Sequence, residues 1–210
     1  MVANIVLEFF LKGGPVMWPI LLCALTAVAV VGERAFWWWR ESRKRDLGRR
    51  EGLLAALEHG DLGAAQSLGD GCDDPVIRMI RHSLNHEHTS IPVALQMSAG
   101  IELERAGRFL NVLDTMVTLA PLLGLLGTVT GLMRAFLKVG SAELSVLAVT
   151  GGIGEALIAT ACGLLIAIVS LVPLNFFSGK LARLQFELET AASEVEVLAN
   201  AGKFNRDHRP

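Results

Sequence analysis

Charge is what this 210-residue chain has least of. Asp, Glu, Lys and Arg make up 19% of it, against 52% hydrophobic residues, and the mean hydropathy is +0.47. Such a composition excludes a disordered chain, because disordered segments are poor in apolar residues. Cysteine is nearly missing too. Cys23, Cys72 and Cys162 are scattered, which rules out a disulfide scaffold, and they are expected to be reduced thiols. No excess of positive charge exists, since the formal net charge is −2, and that argues against a basic nucleic-acid binder. No glycine-rich stretch runs into Gly-Lys-Ser/Thr, so there is no phosphate-binding loop. Strand-like alternation of useful length is missing, and no nucleophile stands with a matching base, so neither an enzyme nor a bound cofactor is expected.

What is present is an uneven distribution of the few charges. Residues 1–39 hold 4 of them, 40–112 hold 21, 113–178 hold 5 and 179–210 hold 10. Three stretches are almost free of charge: 13–32, 115–133, and 144–179 with Glu155 alone. A bilayer core about 30 Å thick needs about 20 apolar residues in a helix. The sequence therefore predicts an all-α integral membrane protein with three transmembrane helices, at 13–39, 113–137 and 145–178. Between and around them it predicts a short interfacial helix at 1–12, a polar insertion at 40–112, a loop at 138–144 and a helical extension with a tail at 179–210. A cleaved leader is not expected, because Met1 to Leu11 has no basic n-region and no small-residue cleavage site follows before Arg34.

Aromatic and basic residues orient the spans. Trp18 stands near one end of the first span and Trp37, Trp38 and Trp39 at the other, a separation of roughly 28 Å of helix, matching the preference of Trp for both interfaces. Arg40, Arg43, Lys44, Arg45, Arg49 and Arg50 follow the first span, whereas only Lys12 precedes it. The positive-inside rule then places 40–112 and the C-terminus in the cytoplasm and the N-terminus outside. Lys180 and Arg183 agree; Arg134 and Lys138 disagree mildly, and are expected to snorkel or to pair with Glu143.

The insertion reads as helices. Leu53, Leu54, Leu57, Leu62 and Leu68 fit short helices broken at Gly60-Asp61 and Gly69-Asp70-Gly71, and Asp74-Pro75 opens another. After Ile91-Pro92, residues 93–112 are expected to run helically into the second span. Leu181, Leu184, Leu188, Val195 and Leu198 extend the third helix past the membrane, and the last eight residues are expected to fray.

Glu155 is the clearest candidate functional group, since an ionisable side chain within a bilayer must face protein, water or a partner. On the second span Asp114, Thr118, Pro121, Leu125, Thr128 and Leu132 share one helical stripe. Either it lines a polar pathway, or Asp114 is solvated and the threonines bond their own backbone. Pro121 and Pro173 each remove a backbone hydrogen bond within a span. Gly124, Gly127 and Gly131 leave gaps one turn apart for a neighbouring helix, and Gly152, Ala156, Thr160, Gly163, Ala167 and Ser170 form a matching small-residue seam on the third span. Glu155 and Thr160 lie about 140° apart on a straight helix, so both can enter one narrow pore only if the helix bends. His82, His86 and His88 near Glu87 lack a third ligand at a familiar spacing, so no metal is expected.

Two longer motifs then become specific. Residues 120–131 read Ala-Pro-Leu-Leu-Gly-Leu-Leu-Gly-Thr-Val-Thr-Gly and 152–165 read Gly-Ile-Gly-Glu-Ala-Leu-Ile-Ala-Thr-Ala-Cys-Gly-Leu-Leu, after Glu102-Leu103-Glu104-Arg105. Together they closely resemble the ExbB/TolQ/MotA family of proton-channel subunits, over 13–195. Gly-Gly-Pro-Val-Met-Trp-Pro near the N-terminus is more similar to the ExbB branch than to TolQ, and the fourth span of MotA-like proteins is missing. The resemblance implies a homopentameric ring in the bacterial inner membrane. It also implies an ExbD-like subunit bringing a membrane-embedded aspartate, and a TonB-like protein that receives the motion and opens outer-membrane transporters. By motif, Thr128 matches the pore threonine of the second span, and Glu155 and Thr160 match the functional pair of the third. Two rival expectations are a TolQ-like subunit of an envelope-constriction system and a non-conducting membrane scaffold. Membrane lipids are expected partners; nucleic acid is not.

Overall fold

The structure is a computed structural model and describes residues 13–85, 90–139 and 146–203, with only the backbone at 138, 139, 146–149, 202 and 203. The expected interfacial helix at 1–12, most of the 138–144 loop, His86, Glu87, His88, Glu143 and the tail beyond 203 lie outside those residues. Among the described residues seven α-helices follow in order: α1 (Met17–Ser42), α2 (Leu47–Glu58), α3 (Leu62–Gly69), α4 (Pro75–Leu84), α5 (Ile91–Gly107), α6 (Leu110–Val139) and α7 (Val146–Leu198), with a π-turn at Ala199–Lys203. There is no strand among the described residues. Helices α1, α6 and α7 are long and apolar enough to cross a membrane. The protein is an all-α membrane protein.

The chain divides into two units, one from Met1–Arg34 and Phe109–Phe177, the other from Ala35–Arg108 and Ser178–Pro210. In the first, Gly13-Gly14-Pro15 turns the chain into α1, where the Met17 and Trp18 amides donate to the Gly14 and Pro15 carbonyls at 3.1 and 3.3 Å. Val16, Ile20, Cys23, Ala27, Val30 and Arg34 are buried at alternating spacings of four and three, one face of a helix. Val16, Met17 and Ile20 pack with Ala159 of α7, flanked by Leu123, Cys162 and Ile166. Outward stand Leu22, Leu25, Val28, Leu122, Leu126, Met133, Phe136, Leu157, Leu165, Ile168 and Val172, an exposed apolar surface far beyond what a soluble monomer carries.

Arg34 escaped sequence reasoning as a structural group. It is 1% exposed, pairs with Glu33 through both its Nε and its Nη2, and lies with its guanidinium 5.8 Å over the Phe109 ring. Phe109 has φ +64, a left-handed conformation that is strained for an aromatic residue. With Arg108, it separates α5 from α6. The expected uninterrupted helix over 93–112 is therefore broken there. The apolar periodicity continues through the break, which is why the pattern did not reveal it.

The second unit has its helices started by aspartates. Asp46 accepts from the Arg49 amide at 3.0 Å, Asp61 from Ala64 at 2.9 Å, and Asp74 from Val76 at 2.9 Å with Pro75 in the first turn. Leu53, Leu57, Ile77, Met79, Ile80 and Leu95 form much of its interior, with Leu184, Leu188, Ala191 and Val195 of α7 buried on one face. Trp38, expected as an interface anchor, is instead only 5% exposed, with its ring edge-to-face with Trp37 and the Lys180 ammonium 5.6 Å from its centroid. Trp39 is the exposed ring of the cluster and carries Arg43 over its face at 3.9 Å.

An ionic hub ties this unit together. Arg78 donates from Nη2 to Glu41 at 2.7 Å and to Glu102 at 2.5 Å, from Nε to Glu102 at 3.2 Å, and from Nη1 to the Asp73 carbonyl at 2.8 Å. Burial disfavours the Arg78 charge, but the hydrogen bonds to Glu102 and Glu41 and their negative charges outweigh it, so its pKa is raised. Lys44 bridges Glu41 and Asp73 at 3.5 and 3.2 Å. Its hydrogen bond and charge hold the exposed Asp73 carboxyl below the usual carboxylate range. That contribution is present above the ordinary carboxylate pKa and fades as pH falls through the lowered one.

Candidate functional site

In the first unit α6 and α7 approach closely through small residues. A Cβ placed on Gly163 would stand 2.4 Å from the Ala120 carbonyl oxygen, and one on Gly124 would stand 3.0 Å from the Thr160 Cα. Gly127 faces Ala159, while Gly131 and Gly152 face Ala156 and Ala135. Without a hydrophobic drive between helices in lipid, such small-residue contact supplies much of the association. Thr160 adds a bond across the crossing: its hydroxyl donates to the Gly124 carbonyl at 2.8 Å, and more weakly to its own-helix Ala156 carbonyl at 3.4 Å. A hydroxyl that has no water must find such an acceptor. Gly127→Ala would bring two methyl carbons to 2.5 Å. It is expected to cost about 1–3 kcal/mol through overpacking. A melting curve of the lipid-held protein would read the loss, and an unchanged midpoint would contradict this packing.

Glu155 belongs to the same crossing, further along α7. Its Oε1 lies 2.8 Å from Nη2 of Arg134 on α6. Arg134 therefore meets Glu155; the pairing with Glu143, one of the two alternatives expected from the sequence, lies outside the described residues. The Arg134 Nε donates to the Thr130 carbonyl at 3.3 Å, which fixes the guanidinium along its own helix. The other wall is backbone: a Cβ on Gly14 would stand 1.8 Å from Glu155 Oε1. Oε1 is shielded from solvent and, despite the ion pair, accepts no well-directed hydrogen bond among the described residues. Glu155 and Thr160 thus turn towards different neighbours, the carboxylate to Arg134 and Gly14 and the hydroxyl to Gly124.

The Asp114 stripe lies roughly 100° round α6 from its glycine face. Asp114, Thr118, Leu125 and Leu132 are exposed, and Pro121 and Thr128 are half-buried. Thr118 donates to the carbonyls of Thr115 and Asp114 at 3.0 and 3.3 Å, and Thr128 to Leu125 at 2.7 Å. Their hydroxyl protons are used locally, but each oxygen keeps acceptor capacity towards the open side. The stripe is open at Asp114, Thr118, Leu125 and Leu132 and only partly covered at Pro121 and Thr128.

The family model described as the MotA/TolQ/ExbB proton channel family matches residues 72–190. The chain belongs to this family. It is 36% identical over 200 residues to biopolymer transport protein ExbB-like 1 of Synechocystis sp., covering 91% of this chain and 78% of that protein. It is 34% identical over 194 residues to ExbB-like 3 of the same organism, covering 90% and 92%. With the biopolymer transport protein ExbB of Neisseria gonorrhoeae it shares 38% identity over 89 residues, 42% of this chain and 40% of that protein. As a member of the family the chain is a proton-channel-type membrane subunit.

Other groups take lesser parts. His82 Nδ1 is 3.0 Å from the Ser98 hydroxyl, and no set of three His, Cys, Asp or Glu placed to hold a metal occurs among the described residues. Cys23, Cys72 and Cys162 are free thiols. Two residues at the Glu155 site were not anticipated. Gly14 reads in the sequence only as a helix breaker. Arg134 reads as a charge near the end of a span that snorkels or pairs with Glu143, because Glu155 is 21 residues away along the chain.

Proposed function

We propose that this chain is the proton-channel subunit of an inner-membrane complex that uses the proton motive force to drive TonB-dependent outer-membrane import. The observation that carries this reading is the open polar band Asp114–Thr118–Thr128 on α6, beside a crossing that holds Thr160 and Glu155. A band of hydroxyls exposed on a membrane helix is costly against lipid and useful against a partner's carboxylate that changes protonation. The described spans hold too few ionisable groups for a proton relay of their own, so an ExbD-like subunit supplies the missing carboxylate inside a homo-oligomeric ring, a pentamer by family resemblance. One charge crossing 100 mV releases about 2.3 kcal/mol, enough to bias a packed helix pair between two states. Relatives named as ExbB or ExbB-like biopolymer transport proteins support an ExbB-type reading over a Tol-type one. In this reading the N-terminus is periplasmic, and the second unit and the C-terminus are cytoplasmic.

The test is co-purification of the full chain with its membrane partner, an intact mass of the complex, and proton flux into liposomes. Recovery of an ExbD-like subunit and a TonB-like protein, with flux lost in Thr128→Val and Thr160→Val, is the expected result. A TolA-like partner would redirect the reading to the envelope-constriction system. Flux unchanged in both threonine variants would remove the pore assignment, and a complex that never conducts would leave a scaffold.

A further inference from the structure

We infer that Gly14 is a positioning residue for Glu155, setting where its carboxylate stands at the end of the α6–α7 crossing; the functional consequence rests on the proton-channel reading. Two independent features require glycine there. Its φ is +74, a conformation that costs an L side chain roughly 1–2 kcal/mol. The space a side chain would need is also already filled: a Cβ would meet Glu155 Oε1 at 1.8 Å, Cδ at 2.7 Å and Cγ at 3.2 Å. Backbone strain alone would leave that space open, as it is at Gly71, whose φ is +71 and where nothing lies within 4 Å.

The turn that presents Gly14 is held in place. The Gly14 carbonyl accepts from the Met17 amide at 3.1 Å, Pro15 restricts the next φ, and the buried Val16, Met17 and Ile20 anchor the turn on Ala159 of α7, one helical turn beyond Glu155. The carboxylate therefore rests between a fixed Cα on one side and Arg134 Nη2 at 2.8 Å on the other. With the Gly14 wall in place, Oε1 stays against Arg134 and out of solvent. Gly13 makes the comparison. A Cβ there would meet Met17 Cγ and Sδ at 2.5 and 2.6 Å, the flexible thioether arm, and not the carboxylate.

The experiment is a double-mutant cycle in the full-length complex with its membrane partner, read both as proton flux into liposomes and as melting midpoint. Gly14→Ala is expected to lower flux by about tenfold or more, since a displacement of about 1 Å in a working group has effects of that size, with Gly13→Ala lowering it less. Glu155→Asp withdraws the carboxylate by one methylene and vacates the space a Cβ at position 14 would occupy. Adding it to Gly14→Ala is expected to give a double variant with flux and midpoint well above the sum of the single effects. Strict additivity in both readouts, or equal losses in Gly13→Ala and Gly14→Ala, overturns the inference. A wild-type complex without flux overturns the channel reading instead, and the midpoint cycle still decides whether Gly14 places Glu155.

Discussion

Glu155→Ala is expected to yield a chain that folds, inserts and assembles but carries no proton flux above background. Assembly should survive because α7 packs through other residues: Ala156, Ala159 and Gly163 are buried at the crossing, and Thr160 makes the bond to Gly124. The Glu155 side chain is not among those contacts. What its removal does change is local charge. Arg134 loses its 2.8 Å partner and the wall beside Gly14 empties. A guanidinium without that carboxylate, beside the proposed proton path, would oppose the entry of a second cation and turn towards headgroups or a partner's carboxylate. Glu155→Gln separates shape from charge, since it fills the same space beside Gly14 without the ion pair. Both variants should lose flux if the charge matters, and only the alanine variant if the packing does. The measurement is acidification of liposomes holding the complex under an imposed potential, with intact mass as the assembly control. Wild-type flux in both would remove Glu155 from the pathway.

Arg78→Met is expected to unfold the second unit at a much lower temperature. Glu41 and Glu102 are each 6% exposed, and Arg78 is the cation that both of them touch. Methionine would leave two carboxylates buried close together. Breaking a buried pair in this way typically costs 3–5 kcal/mol, because the orphaned charge keeps its desolvation penalty. For a chain of this size that corresponds to a midpoint lowered by about 10 °C. Lys44 and Arg105 also pair with these glutamates and will soften the loss. Adding Glu41→Gln and Glu102→Gln to Arg78→Met should restore much of the midpoint, as removal of all three charges is far cheaper than removal of one. Calorimetry of the lipid-held protein is the check. A fall below about 1 kcal/mol, the range of an exposed ion pair, would show that water reaches the hub.

Much of the architecture was legible because bilayer physics acts on composition. Twenty or so residues without charge need no knowledge of neighbours to be read as a span, and Asp74-Pro75 marks a helix start through a bond made within two residues. Local signals of this kind survive in sequence. The break at Arg108–Phe109 did not, because neither residue is Gly or Pro and a left-handed φ is not what an aromatic residue favours. Trp38 likewise carried the composition of an interface anchor, while its burial against Trp37 and Lys180 depends on helices that meet only in the fold.

At the candidate site the same division holds. The sequence by itself determined which residues stand on one face of a helix, since 3.6 residues per turn makes Asp114, Thr118 and Thr128 neighbours and sets Gly124, Gly127 and Gly131 apart. It also singled out Glu155, because a lone carboxylate in a long apolar run is expensive wherever it points. Only the tertiary structure decided what each face meets. It gave Thr160 to the Gly124 carbonyl, Glu155 to Arg134, and the carboxylate's other wall to Gly14, far away along the chain. The physical reason is that periodicity is a property of one helix, whereas a partner is a property of two. An absent side chain such as that of Gly14 leaves no mark in a sequence until the atom that fills its space is known.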